Sequence, residues 1–320
     1  MHSSNQAQKP KFSVAIATPS YQKLINNTLG DPERAKRFVA TITSAVAVNP
    51  ALQNCECGSI LAGALLGESL NLSPSPQLGQ FYLVPFECRA KGPDGKAIWV
   101  LDEVGNPKKD DKGKWIPVTE CKAQFVLGYK GYIQLALRSG YYADLDTIEI
   151  REGEYLGKDP STGKPRFRFV EDDDERETLS VIGYMAYFEY LNGFKKCIYW
   201  SKQKMQAHAD KYSPAYSAAA HQKILDGKVP DSEMWKYSSY WYKNFDDMAK
   251  KTMLRQLISR WGVMSTELQT AFDGDSKMMA VDDSGNFIPT DDEPPAIIAP
   301  GTALQPEATD VVEKVDLSTL

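Results

Sequence analysis

The stretch VIGYMAYFEYLNGFKKCIYW, Val181–Trp200, is a β-hairpin written in sequence. Aromatic and β-branched residues run from Val181 to Leu191, and strand chemistry resumes from Phe194 to Trp200. Between them, Asn192-Gly193 accepts the positive φ angles that a two-residue hairpin turn demands. Strands joined this way must be antiparallel, so the sheet is antiparallel at least in part.

Further strands are expected upstream, at Gln80 to Glu87, Glu120 to Leu127 and Asp144 to Arg151. Between the first two lies a Gly, Pro, Lys and Asp-rich excursion, Arg89 to Pro117, expected to be a protruding hairpin or mobile finger. Helical periodicity brackets the strands. Asp31-Pro32-Glu33 supplies an N-cap, a first-turn proline and an early acid, followed by Phe38, Ile42, Ala45 and Val46 at helical spacing. Ser59 to Leu70 places Ile60, Ala64 and Gly67 on one side with Leu61 and Leu65 beside them, small enough for another element to approach closely. Lys202 to Tyr212 and about Glu233 to Ser259 return to helix. The expected fold class is therefore α+β, a partly antiparallel sheet flanked by N-terminal and C-terminal helices.

Of 320 residues, 42% are hydrophobic and 25% charged, enough apolar material for one large domain or two. No stretch approaches the ~20 apolar residues of a membrane span, and the polar start, Met1 to Lys11, lacks a signal-peptide core, so a cytoplasmic protein is expected. Cys55, Cys57, Cys88, Cys121 and Cys197 are odd in number and contain no CxxC pair, which points to free thiols rather than zinc or disulfides.

The net charge of −5 is unevenly spread: from Glu267 onward twelve acids face only Lys277 and Lys314, a net −10, leaving the rest at +5. Residues 274–320 are expected to be an acidic disordered tail and residues 1–18 a flexible arm.

Several segments carry candidate chemistry. Gly128 to Gly140 joins a strand to a short helix, setting Lys130 near a helix N-terminus that favours anions; equally, its glycines satisfy a tight turn. Around Asn192, aromatic residues Tyr184, Tyr187, Phe188, Tyr190, Phe194, Tyr199 and Trp200 alternate with or precede Lys195, Lys196, Lys202 and Lys204. Such mixing suits single strands, although buried strand positions would make most of these rings core. In the last helix, Lys251 and Arg255 are like charges at i,i+4, Lys250 shares a face with Met253, Leu254 and Leu257, and Asp246 and Asp247 stand ready as intrahelical partners. Asp144, Asp146 and Glu149 are the carboxylates a metal-dependent nuclease would use, whereas Asp172 to Glu175 reads as a solvated turn. No Ser-His-Asp or Cys-His signature is present, and His208 and His221 read as surface residues.

Taken together, LGYKGYIQLALRSG (Leu127–Gly140), IREGE (Ile150–Glu154), the LNGF and YW of Leu191 to Trp200, and MAKKTMLRQLISRWG (Met248–Gly262) closely resemble the RecT family of phage recombinases, over roughly Leu52 to Phe272. The resemblance implies a single-strand annealing domain over residues 19–273. Its expected function is to coat single-stranded DNA, form rings or helical filaments, and pair a complementary strand into an annealed duplex intermediate without ATP or another cofactor, beside a partner exonuclease. It implies no enzyme, membrane or metal role. Matching to basic positions of the family's motifs makes Lys130, Arg138, Lys250, Lys251 and Arg255 the leading DNA contacts. Lys195, Lys196 and Lys202 follow on local charge. The excursion is longer than expected of relatives and receives no role. Two alternatives accompany this reading: a passive strand-coating protein and the metal-dependent nuclease.

Overall fold

The computed structural model describes residues 11–290 apart from 93, 103, 112, 214 and 283. Helices α1 (Phe12–Ala15), α2 (Pro19–Leu29), α3 (Pro32–Val48) and α4 (Cys57–Ser69) precede strands β1 (Phe81–Arg89) and β2 (Thr119–Leu127). Then come α5 (Tyr129–Arg138), β3 (Tyr142–Arg151), the short strands β4 (Tyr155–Lys158) and β5 (Pro165–Phe167), α6 (Asp173–Thr178), β6 (Val181–Tyr190) and β7 (Lys195–Ser201). The described residues finish through α7 (Lys202–Tyr212), α8 (Ala218–Leu225), α9 (Tyr240–Lys243), α10 (Phe245–Trp261), α11 (Thr266–Ser276) and the hairpin β8 (Met279–Val281) with β9 (Phe287–Pro289). The class is α+β, and every paired strand among the described residues is antiparallel.

Local chemistry sets these elements. The Asp31 carboxylate accepts the Glu33 N–H at 2.9 Å and Pro32 opens α3, whose Phe38, Ile42 and Val46 are buried. Helix α4 is apolar all round and buried from Ile60 to Gly67, as a helix must be when it has no polar face to show. Its glycines let it meet the β1–β2 ladder almost at backbone distance: a Cβ on Gly67 would lie 2.3 Å from the Phe81 ring, and one on Gly63 2.8 Å from Leu83. Arg34 fastens α3 to the end of α4, bonding Glu68 Oε1 at 2.7 Å and the Glu68 carbonyl at 2.8 Å.

The second sheet has the order β3-β6-β7. One face, Leu145, Thr147 and Glu149 beside Tyr184, Ala186 and Phe188, turns toward α10, where the Tyr184 hydroxyl donates to Asp246. On the opposite face Tyr199 of β7 receives the β4–β5 wing, its ring 4.2 Å from Tyr155 and 5.7 Å from Phe167. Gly193 at φ +83° makes the expected turn between β6 and β7.

Several expectations change. The excursion is no single hairpin. Bonds such as Ile98 N to Ala90 O, Lys108 N to Val100 O and Ile116 N to Lys108 O fold it into lobes, whose turns place Gly95, Gly105 and Gly113 at positive φ. Residues 1–10 and 291–320 lie outside the described residues, but both expected terminal boundaries fall inside packed structure. Phe12, Ala15 and Ile16 are buried, so the arm is already part of the core before residue 18. Gly274 sits within α11 against Leu66, and the chain then continues through buried Met278 into the β8–β9 hairpin on α4. The sum of acids concealed the apolar Met278, Met279, Val281 and Phe287 that anchor this segment.

The thiol expectation also fails for two of the five cysteines: Cys55 and Cys121 form a disulfide, while Cys57, Cys88 and Cys197 stay outside it. Sequence separation of 66 hid the pairing; the Glu56 N–H bonds the Cys121 carbonyl at 2.8 Å and brings the two backbones together. The long C-terminal helix, in turn, is interrupted. A 3-10 segment, Asp231–Tyr237, and α9 precede Asn244, whose φ of −139° and ψ of 60° restart the chain as α10.

Candidate nucleic-acid interface

The strand β2 ends at Leu127, and Gly128 turns the chain into α5. Both glycines of this turn serve a close backbone crossing: a Cβ on Gly128 would stand 2.1 Å from the Gly79 carbonyl oxygen, and one on Gly131 2.2 Å from that of Gln80. The Gly128 N–H itself bonds Gln80 O at 2.8 Å. Turn geometry therefore accounts for these glycines, and the crossing places Tyr129 and Lys130 at the surface.

Lys130 is exposed and makes no ion pair with a described residue. Its ammonium and that of Lys250 flank the Tyr129 ring, 5.9 and 5.3 Å from the centroid. Tyr82 and Tyr240 lie together nearby, ring centroids 5.5 Å apart. Burial, then the charge of Asp247 and the adjoining Tyr240 and Tyr129, pushes the Tyr82 hydroxyl above its ordinary pKa, so it remains a donor at neutral pH. Partly exposed rings beside an uncommitted cation are what a stacked base and its phosphate require.

The three candidate cations of α10 are committed internally. Lys250 bonds Glu149 at 2.8 Å and approaches Asp247 at 3.6 Å. Burial alone would lower its pKa, but the Glu149 carboxylate more than reverses this and the ammonium titrates above the usual lysine value. Lys251 and Arg255 share one carboxylate, Asp275 of α11, at 2.6 and 2.7 Å. Asp275 is 4% exposed and also accepts the Leu127 N–H at 2.9 Å and the buried Tyr132 hydroxyl at 3.4 Å. It thus joins α10, β2, α5 and α11 at one point. The intrahelical partners expected for these lysines are largely replaced by carboxylates from other elements; Asp246 instead serves Tyr184.

The other candidates are dispersed. Arg138 is exposed at the far end of α5, about 12 Å from Lys130 along the helix, where it bonds the Leu70 carbonyl at 3.0 Å and caps α4. Lys195 and Lys196 are consecutive on β7 and so point to opposite faces: Lys195 pairs with Glu189 at 2.6 Å, Lys196 lies 4.3 Å over the Trp261 ring. Lys202 opens α7, and its neighbour Lys204 covers Trp200 at 4.4 Å. Of the hairpin aromatics, Tyr184 and Phe188 are fully buried, whereas Phe194 is 47% exposed. The same alternation divides the nuclease trio. Asp144 and Asp146 lie on one face of β3, while Glu149 lies on the other, held by Lys250 and Arg151. Nor are the histidines both superficial: His221 is buried, its Nδ1 2.8 Å from the Tyr216 hydroxyl.

Residues that sequence reasoning missed include Asp275, Tyr82 and Tyr240, which no local pattern marks, and four exposed cations on the β4–β5 wing, Lys158, Lys164, Arg166 and Arg168. For the wing a signal existed: Lys164-Pro-Arg-Phe-Arg-Phe169 alternates bases with rings.

An antiparallel α+β body that sets uncommitted lysines and arginines beside tyrosine and phenylalanine rings has the surface of a nucleic-acid-binding protein. Comparison with known proteins makes the class specific. A family model described as RecT family matches residues 36–291, and the chain belongs to that family of phage-type recombination proteins. It is 32% identical over 266 residues to the uncharacterized protein YqaK of Bacillus subtilis (strain 168), covering 83% of this chain and 72% of that one. It is 24% identical over 262 residues to Protein RecT of Escherichia coli (strain K12), covering 82% of this chain and 79% of the relative. No described helix is long and apolar enough to cross a membrane.

Proposed function

We propose that this protein binds single-stranded DNA and anneals complementary strands without nucleotide hydrolysis or a cofactor, as a homo-oligomeric ring or filament fed by a partner exonuclease. The observation that carries the reading is Lys130, exposed and without a carboxylate partner among the described residues, beside Tyr129 and the Tyr82–Tyr240 pair, in a chain of this family. Annealing breaks no covalent bond. It requires that phosphate repulsion between two strands be relieved, and cations repeated along an oligomer do that. We assign the first contacts to Lys130, with Lys196 and Lys202, and a lesser share to Arg138 and Lys195. Lys250, Lys251 and Arg255 act mainly by holding α10 against α5, β3 and α11, with Arg255 the most accessible of the three at 34% exposure.

The test is to mix complementary labelled oligonucleotides with the protein in the absence of nucleotide. Pairing faster than the protein-free rate supports annealing. Strand binding with no acceleration leaves a passive coating protein and overturns the reading. Lys130→Ala should lower strand affinity for every sequence alike, because a phosphate contact carries no base information.

A further inference from the structure

The β4–β5 wing carries its own charge pattern. Tyr155 and Phe167 face Tyr199, so alternation aims Leu156, Arg166 and Arg168 outward, while Lys158 follows a register shift that sets it opposite Pro165 and Lys164 lies in the turn; all five are exposed. None of the four cations makes an ion pair with a described residue. The one acid of the turn, Asp159, is occupied in place, accepting from the backbone and hydroxyls of Ser161 and Thr162. Phe169, 42% exposed, stacks on Phe167 at 6.1 Å beside Arg168.

The wing is also held rigidly. Glu154, the last residue of the IREGE motif, is fully buried and clasps both ends of it, accepting the Arg151 N–H at 2.7 Å, the Val170 N–H at 3.3 Å and Arg176 Nε at 2.6 Å. Its own carbonyl receives the Arg168 N–H at 2.9 Å. Burial would raise the Glu154 carboxyl, but the Arg176 guanidinium and the two backbone donors hold it below the ordinary glutamate value, so the clasp stays charged near neutrality.

We propose that this wing is a second surface for a nucleic-acid phosphate backbone, separate from the one around Lys130. The inference rests on the reading that the protein binds DNA. The wing packs on the face of the β3-β6-β7 sheet opposite α10, so it engages a different stretch of strand. Arg166 lies in β5 and Arg168 one residue past it, where its N–H still bonds the Glu154 carbonyl; at strand spacing the two stand about 7 Å apart. That is twice the ~3.4 Å axial rise per phosphate of a stacked strand, so their guanidinium forks meet alternate phosphates. An acidic peptide is the competing occupant, and residues 291–320 of the chain carry a net −6. Its acids come as one run, Asp291-Asp292-Glu293, and then singly, which does not match a ladder of period two.

The experiment compares Arg166→Ala/Arg168→Ala with the wild type by fluorescence anisotropy of labelled single strands across a salt series, with thermal melting in parallel. The expected result is an unchanged melting temperature, affinity lowered about tenfold at low salt, and a log–log salt slope shallower by about 0.7 per lost contact. A folded double variant that binds and anneals at the wild-type level overturns the wing while leaving the Lys130 surface intact. Wild-type protein that fails to bind DNA overturns both. If a peptide of residues 291–320 binds the wild type but not the double variant, and DNA affinity is equal in the two, the wing is a protein-docking site and the inference is wrong. As a positioning residue, Glu154→Gln should reproduce the shallower salt slope while Arg166 and Arg168 remain in place.

Discussion

Two carboxylates, Glu149 and Asp275, hold the α10 cations Lys250, Lys251 and Arg255 inside the fold. With side-chain exposures of 13% for Lys251 and 4% for Asp275, the Lys251–Asp275 contact is a buried pair; leaving such a charge with no partner costs about 3 to 5 kcal/mol, and Lys251→Ala, which keeps Arg255 on Asp275, should cost part of that. Lys251→Ala should therefore lower the urea midpoint substantially, where an exposed intrahelical pair would move it by only ~0.2 to 0.5 kcal/mol. Lys130→Ala should do the reverse, weakening strand affinity while shifting stability by less than about 0.5 kcal/mol. A Lys251→Ala protein that unfolds like the wild type would show that the Lys251–Asp275 pair adds nothing to the hold on α10 that Arg255 already supplies. Buried His221 adds a pH effect: burial, then the charge of Lys202, lowers its pKa. A folded-state pKa below the unfolded value makes the stability of the neutral form complete above about pH 6.5 and progressively lost as pH falls below it. Melting temperature should drop as pH falls below about 6.5, and His221→Gln should flatten that drop.

Among the elements, α4 is the least tolerant of change. Its fit against β1 depends on the missing Cβ of Gly67, so Gly67→Ala forces the Phe81 ring aside and should cost about 1 to 3 kcal/mol despite alanine's better helix propensity. Ser69→Ala, one turn end away, is the control, and equal melting of the two variants would mean that the interface relaxes freely. Strand β7 shows why adjacent charges need not act together. Period two sends Lys195 to one face and Lys196 to the other, so a lysine pair in sequence is not a lysine pair in space.

Over the whole molecule, the C-terminal acids divide at Thr290. A chain ending at Gly274 loses Asp275 and leaves Lys251, Arg255, the Tyr132 hydroxyl and the Leu127 N–H without their shared acceptor. That variant should be poorly soluble or melt well below the full chain. A chain ending at Thr290 keeps the clamp and sheds a net −6, moving the total from −5 to +1. It should melt with the full chain and bind single strands more tightly at low salt, an advantage that salt erases as screening sets in. Unchanged affinity across the salt series would show that the acids do not repel the bound strand.

What was legible in the sequence was whatever short-range chemistry enforces. Asn192-Gly193 dictated the β6–β7 turn, Asp31-Pro32 the start of α3, and period two the strands, because each rests on neighbours a few residues apart. Motif order likewise carried the family. Partnership was not legible. Lys250, Lys251 and Arg255 are identical to DNA-facing cations when read along α10, and only folding brings Glu149 from β3 and Asp275 from α11 against them. The same holds for Cys55 with Cys121, for the apolar residues inside the acidic C-terminal stretch, and for the division of Asp144 and Asp146 from Glu149 across a sheet. An ion pair, a disulfide or a shared carboxylate depends on distances of a few ångströms between segments far apart in the chain. Those distances are set by how α4, α5, α10 and α11 pack on the two larger sheets, and no local pattern encodes them.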